Sequence, residues 1–427
     1  MSLFLLGGFV GFMAIGVPLA LVIIGSGLLY ILIATDVPMS VVGQRLFVTL
    51  DDFTLMAIPL FVLAGYLMNE VGLTERLVEF VRFLLRRVYG ALAQVSVLVS
   101  MAFGGVSGAA AADLAAVGIP MIPQMEKHGY RREFATATIT TSSLMGAVIP
   151  PSIPFIIYGV QAETSIGKLF LAGIIPGIGI GIVVMIVNHV SLRRQGFTEP
   201  PSSSQPLSGV RLAMATKDAL VALLMPVIII GGILLGVVTP TEAAAVAVLY
   251  ALIVGFFVFR TLTFAKIVRV LRSSVVMSSV IMLIVAGSGV LNWALAYSLV
   301  PQMIAQALLS LTSSAWVFMI IVIVLLLIVG MPLDPVPAII VVTPILLPAA
   351  IGFGIDPVHF GVVVVMVLTI GLATPPVGAS LFVAMSVSKV SMSSLSRAII
   401  PFLVAVLAFT VLIAFVPAVY NWLPGLE

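Results

Sequence analysis

Gly146-Ala-Val-Ile-Pro150-Pro151 and Gly371-Leu-Ala-Thr-Pro375-Pro376 share the form G-x-x-x-P-P, and each lies near the middle of a long apolar segment. The double proline removes two backbone donors and clashes with the preceding turn, while the glycine frees the chain from helical dihedrals. Each segment is therefore expected to be two half-helices joined by an unwound link. Lipid cannot hydrogen-bond the freed groups, so a break at membrane depth survives only where protein buries it or where it lines a watered cavity. Two such breaks in corresponding halves of a chain mark a transport site.

The composition agrees with a bilayer as solvent. Hydrophobic residues are 62% of the 427 and charged residues 8%, and mean hydropathy is +1.31. These values exclude soluble classes and predict an all-α polytopic membrane protein. Cysteine is absent, which removes disulfides, thiolate nucleophiles and Cys-based metal sites. His128, His189 and His359 are too far apart in sequence to suggest a metal cluster. The formal charge of +3 is small, and no nucleic-acid partner is expected.

Met1 to Thr35 is uncharged, lacks the basic start of a cleaved signal, and is long for one crossing and short for two. Gly16-Val17-Pro18 is its candidate divider. Pro38 to Asp52 reads as a connecting segment and Phe53 to Asn69 as a short crossing. Glu75, Glu79, Arg82 and Arg86 recur at helical spacing, with Leu77, Phe80, Leu84 and Val88 on other faces, the pattern of an amphipathic helix in the interface. A re-entrant helical hairpin is expected over about 91–122, with its tip near Ser107 in Gly104-Gly105-Val106-Ser107-Gly108, and the first broken crossing over about 134–162. Residues 196–217, rich in proline and serine, read as a soluble linker between a first repeat, 1–195, and a second, 218–427. The second repeat opens with crossings Ala219 to Thr241 and Ala243 to Phe259, then one near Val275 to Ser298. A polar-striped piece with Gln302, Gln306 and Ser310 leads to a second hairpin over about 315–349, tipped by Gly330-Met331-Pro332-Leu333-Asp334-Pro335. The second broken crossing covers about 357–388, and Ala398 to Val419 is the last crossing.

Adding 225 to residue numbers carries Gly105 to Gly330, Pro123 to Pro348, Gly129 to Gly354, Gly146 to Gly371, Pro150 to Pro375 and Pro151 to Pro376 without a gap. The matches are glycines and prolines at tips, turns and breaks. With a cytoplasmic linker and hairpins that enter and leave by one side, 17 of 19 Lys and Arg fall inside, leaving Arg45 and Lys168 outside. The positive-inside rule favours that arrangement, which makes the repeat inverted. The same logic makes Met1 to Thr35 a tight hairpin with its N-terminus outside; its length argues otherwise, so both readings stand.

Ile149-Pro-Pro-Ser152, Leu171-Ala-Gly-Ile-Ile-Pro-Gly177, Thr343-Pro-Ile-Leu-Leu-Pro348, Gly354-Ile-Asp-Pro-Val-His-Phe-Gly361 and Thr374-Pro-Pro-Val-Gly378 occur in order along the chain. With these motifs it resembles the large membrane subunit of tripartite ATP-independent periplasmic transporters over essentially its whole length. The resemblance implies a sodium-driven importer of organic acids, such as C4-dicarboxylates or sialic acids, in a bacterial or archaeal inner membrane. It implies two separate partners, a small four-helix membrane subunit and a periplasmic substrate-binding protein. It further implies an elevator-type fold akin to the ion transporter superfamily. One sodium site would then join Gly105 and Ser107 to Gly146, Ile149 and Pro150. The other would join Gly330 to Gly371, Thr374 and Val377.

Sodium wants several oxygens, which unwound carbonyls and the hydroxyls of Ser107 or Thr374 can supply. No Lys or Arg lies within any expected crossing, so half-helix N-termini are the available positive potential for a carboxylate. The substrate is expected between Ser107, Ser142, Ser143, Ser152 and the second break at Thr374. The run Thr140 to Ser143 has an alternative use, bonding back to its own helix. Asp334 either caps the half-helix after the second tip or takes part in coupling. Arg45 and Lys168 either meet the binding protein or anchor the chain at the interface. Two rival functions are a carrier of similar architecture that works alone, and an intramembrane protease using Asp113 and Asp334 as its carboxylate pair.

Overall fold

The computed structural model describes residues 2–85, 87–198, 209–420 and 422, and every regular element among them is a helix. In the first half α1 is Ser2–Ala14, α2 Leu19–Ala34, α3 Ser40–Leu50, α4 Ala57–Glu70, α5 Leu73–Leu85, α6 Ala91–Ser107, α7 Ala110–Lys127, α8 Arg132–Ser143, α9 Ile153–Gln161 and α10 Ile166–Arg194. The second half runs through α11 Gly209–Leu234, α12 Pro240–Ile253, α13 Phe264–Tyr297, α14 Val300–Leu311, α15 Ala315–Gly330, α16 Pro335–Gly352, α17 Pro357–Gly371, α18 Ala379–Ser388 and α19 Met392–Phe415. Seven of these helices, some with the short turn that precedes or follows, are long and apolar enough to cross a membrane. The 16 residues of α15 and the 15 of α17 are not, since a helix rises about 1.5 Å per residue against a hydrocarbon core of about 30 Å.

Three sequence expectations need adjustment. Residues 1–35 hold two helices, not one, turning at Gly16 with φ +79. Gly8 faces Ser26 and Leu29, and Gly25 faces Phe12, so α1 and α2 run antiparallel. Each is shorter than a full crossing, which is why the segment looked too short for a pair. The expected linker, 196–217, is helical from Gly209, because the proline and serine signal stops at Ser208 and helix formers follow. Its residues 199–208 lie outside the described ones. The crossing expected from Val275 begins at Phe264, since the long stems of Lys266 and Arg269 let a helix continue into the headgroup region with its charges in water.

The helices form two packing groups. One comprises α1 to α4 with α11 to α13; the other comprises α6 to α10 with α15 to α19. The amphipathic α5 and the uncharged α14 bridge from one group to the other. Gly72 at φ +82 turns the chain from α4 into α5, and Gly90 at φ +69 turns it towards α6. α5 buries Leu73, Thr74, Leu77, Val78 and Val81 against α6 and α11. Its entry is fixed by Arg76, which donates to the carbonyls of Val71 and Gly72 at 2.8 Å. The same guanidinium lies 3.8 Å above the Phe259 ring and 3.6 Å from Asp218. Lys266 and Arg269 both reach Glu70 nearby.

The second group is tied internally by buried polar bonds. Thr138 donates to Asn188 at 2.8 Å, Asn188 reaches Ala93 O at 3.4 Å and Gln94 reaches Met185 O at 3.1 Å. Tyr158 of α9 donates to Pro357 O at 2.7 Å, joining the two halves. His359 Nε2 donates to Ala414 O at 3.0 Å, which fixes the tautomer, so Nδ1 accepts from Tyr420. Polar groups satisfied inside a low-dielectric core lock one packing, and this group should behave as a unit.

Arg76→Met is expected to destabilise the protein by about 0.5–1.5 kcal/mol, because it takes the shared donor from the half-buried carbonyls of Val71 and Gly72, the first of which keeps Thr261. Thermal unfolding in detergent checks this, with Arg76→Lys expected to recover only part of the loss since an ammonium lacks the planar fork.

Candidate functional site: two tips seated on two helix breaks

α8 ends at Ser143, a tight turn covers Leu144–Ala147, and α9 starts only at Ile153. α17 ends at Gly371 and α18 starts at Ala379. Both proline pairs fall in the unwound links, as the G-x-x-x-P-P reading requires, and both have cis bonds, Pro150-Pro151 and Pro375-Pro376.

A hairpin tip sits on each link. At the first, a Cβ on Gly105 would stand 3.3 Å from Pro150 O, and one on Gly108 would stand 3.0 Å from Pro151 O. One on Gly104 would stand 3.0 Å from the Gly146 Cα. Ile153 N donates across to Gly108 O at 3.4 Å. At the second, a Cβ on Gly371 would fall 2.6 Å from the Gly330 carbonyl carbon. The glycines are there because backbone packs on backbone, a distance no side chain allows. Ala110, Ala147 and Leu372 are buried together with Ala379 against them, so the first tip and both breaks converge on one place.

The two breaks differ in access. Pro150 to Ser152 are buried, whereas Pro376 is exposed and Val377 is 45% exposed. Ile149 packs against Gly177. Ser152 caps α9, accepting from Phe155 N at 3.3 Å while its hydroxyl hydrogen goes to Ala147 O. Ser142 and Ser143 are buried and donate to the carbonyls of Thr138 and Thr140 in their own helix, at 2.7 and 2.8 Å. Thr374 donates to Ile370 O at 2.8 Å. α6 ends at Ser107, whose side chain lies outside the described ones. Of the acids, Asp334 accepts from Val336 N at 3.3 Å and caps α16.

Sequence reading gives Asp113 a role only in the rival protease. Its Cβ is 3.4 Å from the position a Cβ on Gly146 would take, so it stands at the first break. It is fully buried, and both carboxylate oxygens lack a hydrogen-bond partner among the described residues; Ser100 of α6 is its polar neighbour, equally without a bond of normal geometry. A charge at this depth costs roughly 2.5–3.5 kcal/mol unless something compensates it. The available signal was an acid closing a run of alanines one turn beyond a tip.

Beside the first tip a cavity of about 280 Å³ separates the two packing groups. Val62, Tyr66 and Asn69 of α4 line one wall and Ala112, Ala115 and Ala116 of α7 the other. It extends from the tip towards the end of the bundle where Lys266 and Arg269 lie.

Residues 6–419 match the model of the tripartite ATP-independent periplasmic transporter DctM component. The chain belongs to this family, as a transporter permease and not an enzyme. It is 37% identical to the sialic acid TRAP transporter large permease protein SiaM of Vibrio cholerae, over 98% of this chain and 97% of that one. It is 33% identical to the C4-dicarboxylate TRAP transporter large permease protein DctM of Rhodobacter capsulatus, over 100% and 99%. The fold also resembles the YdaH transporter of Alcanivorax borkumensis, with a TM-score of 0.67 at 12% identity, covering 90% of this chain and 89% of that one. The protease reading falls with the family, and the geometry agrees: Asp113 is buried within α7 while Asp334 is exposed at the other tip.

Gly371→Ala should abolish uptake, and Gly146→Ala should only reduce it. The added carbon meets backbone at 2.6 Å in the first case, and nothing nearer than 3.3 Å in the second. Uptake into proteoliposomes, normalised to inserted protein, gives the ranking, and equal activity of the two variants would contradict it.

Proposed function

We propose that this permease imports an organic carboxylate, driven by sodium and delivered by a periplasmic substrate-binding protein, with a small four-helix membrane subunit as a second, separate partner. The observation that carries the reading is the convergence of tips and breaks, with Ala110, Ala147, Leu372 and Ala379 at its centre. Such a place offers unpaired carbonyls and half-helix N-termini without a full charge, which suits a cation and an anion side by side. Sialic acid and C4-dicarboxylates are the substrates in the names of two relatives, and both are carboxylates. The predominance of Lys and Arg at one end makes that end cytoplasmic in an inner membrane.

In this reading sodium is cargo held at the first break by the Asp113 carboxylate with the carbonyls of Pro150 and Pro151, while Gly105 and Gly146 keep the approach open. The Gly330–Gly371 junction, with Thr374 and Val377, is the second sodium site. The substrate carboxylate lies on the exposed side of that break, at the N-terminus of α18. The α6–α10 and α15–α19 group is the moving body and the other group the scaffold. The cavity between α4 and α7 is then the vestibule towards the cytoplasm, and the alanines of α7 give a smooth sliding face.

Proteoliposomes holding both membrane subunits and supplied with the binding protein test this. Uptake should require an inward sodium gradient and fail without the binding protein. Asp113→Asn should raise the sodium concentration for half-maximal uptake at least tenfold, in line with loss of a charged ligand (about 1.5–3 kcal/mol). Uptake indifferent to sodium would overturn the coupling, and uptake without the binding protein would identify a carrier that works alone.

A further inference from the structure

Gln161 is the last residue of α9 and lies against α13 of the other packing group. Asn292 Nδ2 donates to Gln161 Oε1 at 2.8 Å, and Gln161 Nε2 donates to Ser288 Oγ at 3.3 Å. Ser288 passes its own hydrogen to Val285 O at 2.6 Å. Ser288 and Asn292 are four residues apart, on one face of α13. A relay of three side chains thus crosses from one group to the other.

The wall that presents these residues is stiff. Gly287 is packed against Ile24 of α2, Gly289 against Arg45 and Thr49 of α3, and Gly27 of α2 against Val290. α13 can neither rotate nor retreat there without displacing backbone. The opposing partner is equally held, because α9 is bound to α17 through Tyr158 and Pro357. The bridge therefore reports the relative position of the two bodies and not the mobility of a side chain.

We propose that Gln161 is a positioning residue of the transport cycle: its bonds to Asn292 and Ser288 hold the moving group in the conformation described and must break for it to travel. The inference rests on the moving-group reading above. Its chemistry suits a contact that is made and broken every cycle. Neutral amides leave no buried charge when they separate, whereas an ion pair would. Asn292 Oδ1 is buried with no partner among the described residues, so part of the cost of separation is already present in the closed bridge.

The chain has no cysteine, so two can be introduced for spin labels without background. Glu163 and Val237 are exposed and stand on opposite sides of a cleft of about 620 Å³ at the end of the bundle away from Lys266, one on each group. Distances between labels at these positions, measured by pulsed electron resonance in lipid nanodiscs with and without sodium, resolve the positions of the moving group. In the Gln161→Leu background the ratio of the population at the second distance to that at the first is expected to rise about tenfold, as loss of two hydrogen bonds implies. Gln161→Leu/Asn292→Leu together should move the ratio no further than Gln161→Leu, since the first substitution already removes both bonds of the bridge. Two distances whose population ratio Gln161→Leu leaves unchanged would overturn the latch alone. A single distance in every sample would overturn the moving-group reading and the latch with it.

Discussion

A backbone amide or carbonyl in hydrocarbon has nothing to bond to except its own protein, and this structure is arranged around the two places where the helix cannot provide that partner. Proline pairs at 150–151 and 375–376 remove donors and end helices at depth. Each opened stretch is covered by the tip of a helical hairpin whose glycines let backbone lie on backbone. Gly105 and Gly108 do this at the first break and Gly330 at the second. The tips could not approach with side chains in the way, and the breaks could not persist without the tips. Pro376 and Val377, at the second break, remain exposed.

The division into two packing groups follows from where polar side chains are spent. Within the group that holds both breaks, Thr138, Asn188, Gln94, Tyr158 and His359 bond to partners in that same group. Between groups, the faces are mostly small or apolar, as on α7, where Ala112, Ala115 and Ala116 look across a cavity at α4. Polar bonds are thus concentrated inside the body and sparse across its boundary. The neutral amide bridge at Gln161 is one of the few polar contacts that do cross it, and the turn glycines Gly72 and Gly90 flank the helix that spans the boundary.

Arg76 and Asp113 illustrate two uses of charge in an apolar protein. Arg76 sits at the bundle's basic end, where its fork and stem tie α5 to α11 and to the α12–α13 connection. Water is close, and the ion pair with Asp218 adds little beyond geometry. Asp113, by contrast, is fully buried beside Gly146 and has no ion-pair partner among the described residues.

Bilayer residence and the two broken helices were determined by the sequence alone, the first through composition and the second because glycine and proline act through local backbone geometry. Family membership was equally legible, carried by motifs at the same breaks. Which hydroxyls are free was not legible. Ser142, Ser143 and Ser152 lie near the first break, yet their hydrogens go to nearby carbonyls, and only the path of the helix shows it. Asp113 looked like an isolated acid until folding brought Gly146 and Ser100 beside it, from residues 33 later and 13 earlier. The Gln161–Asn292 bridge joins residues 131 apart. Contacts of that range depend on how helices stack, and stacking is decided by the packing of whole faces, which no local pattern records.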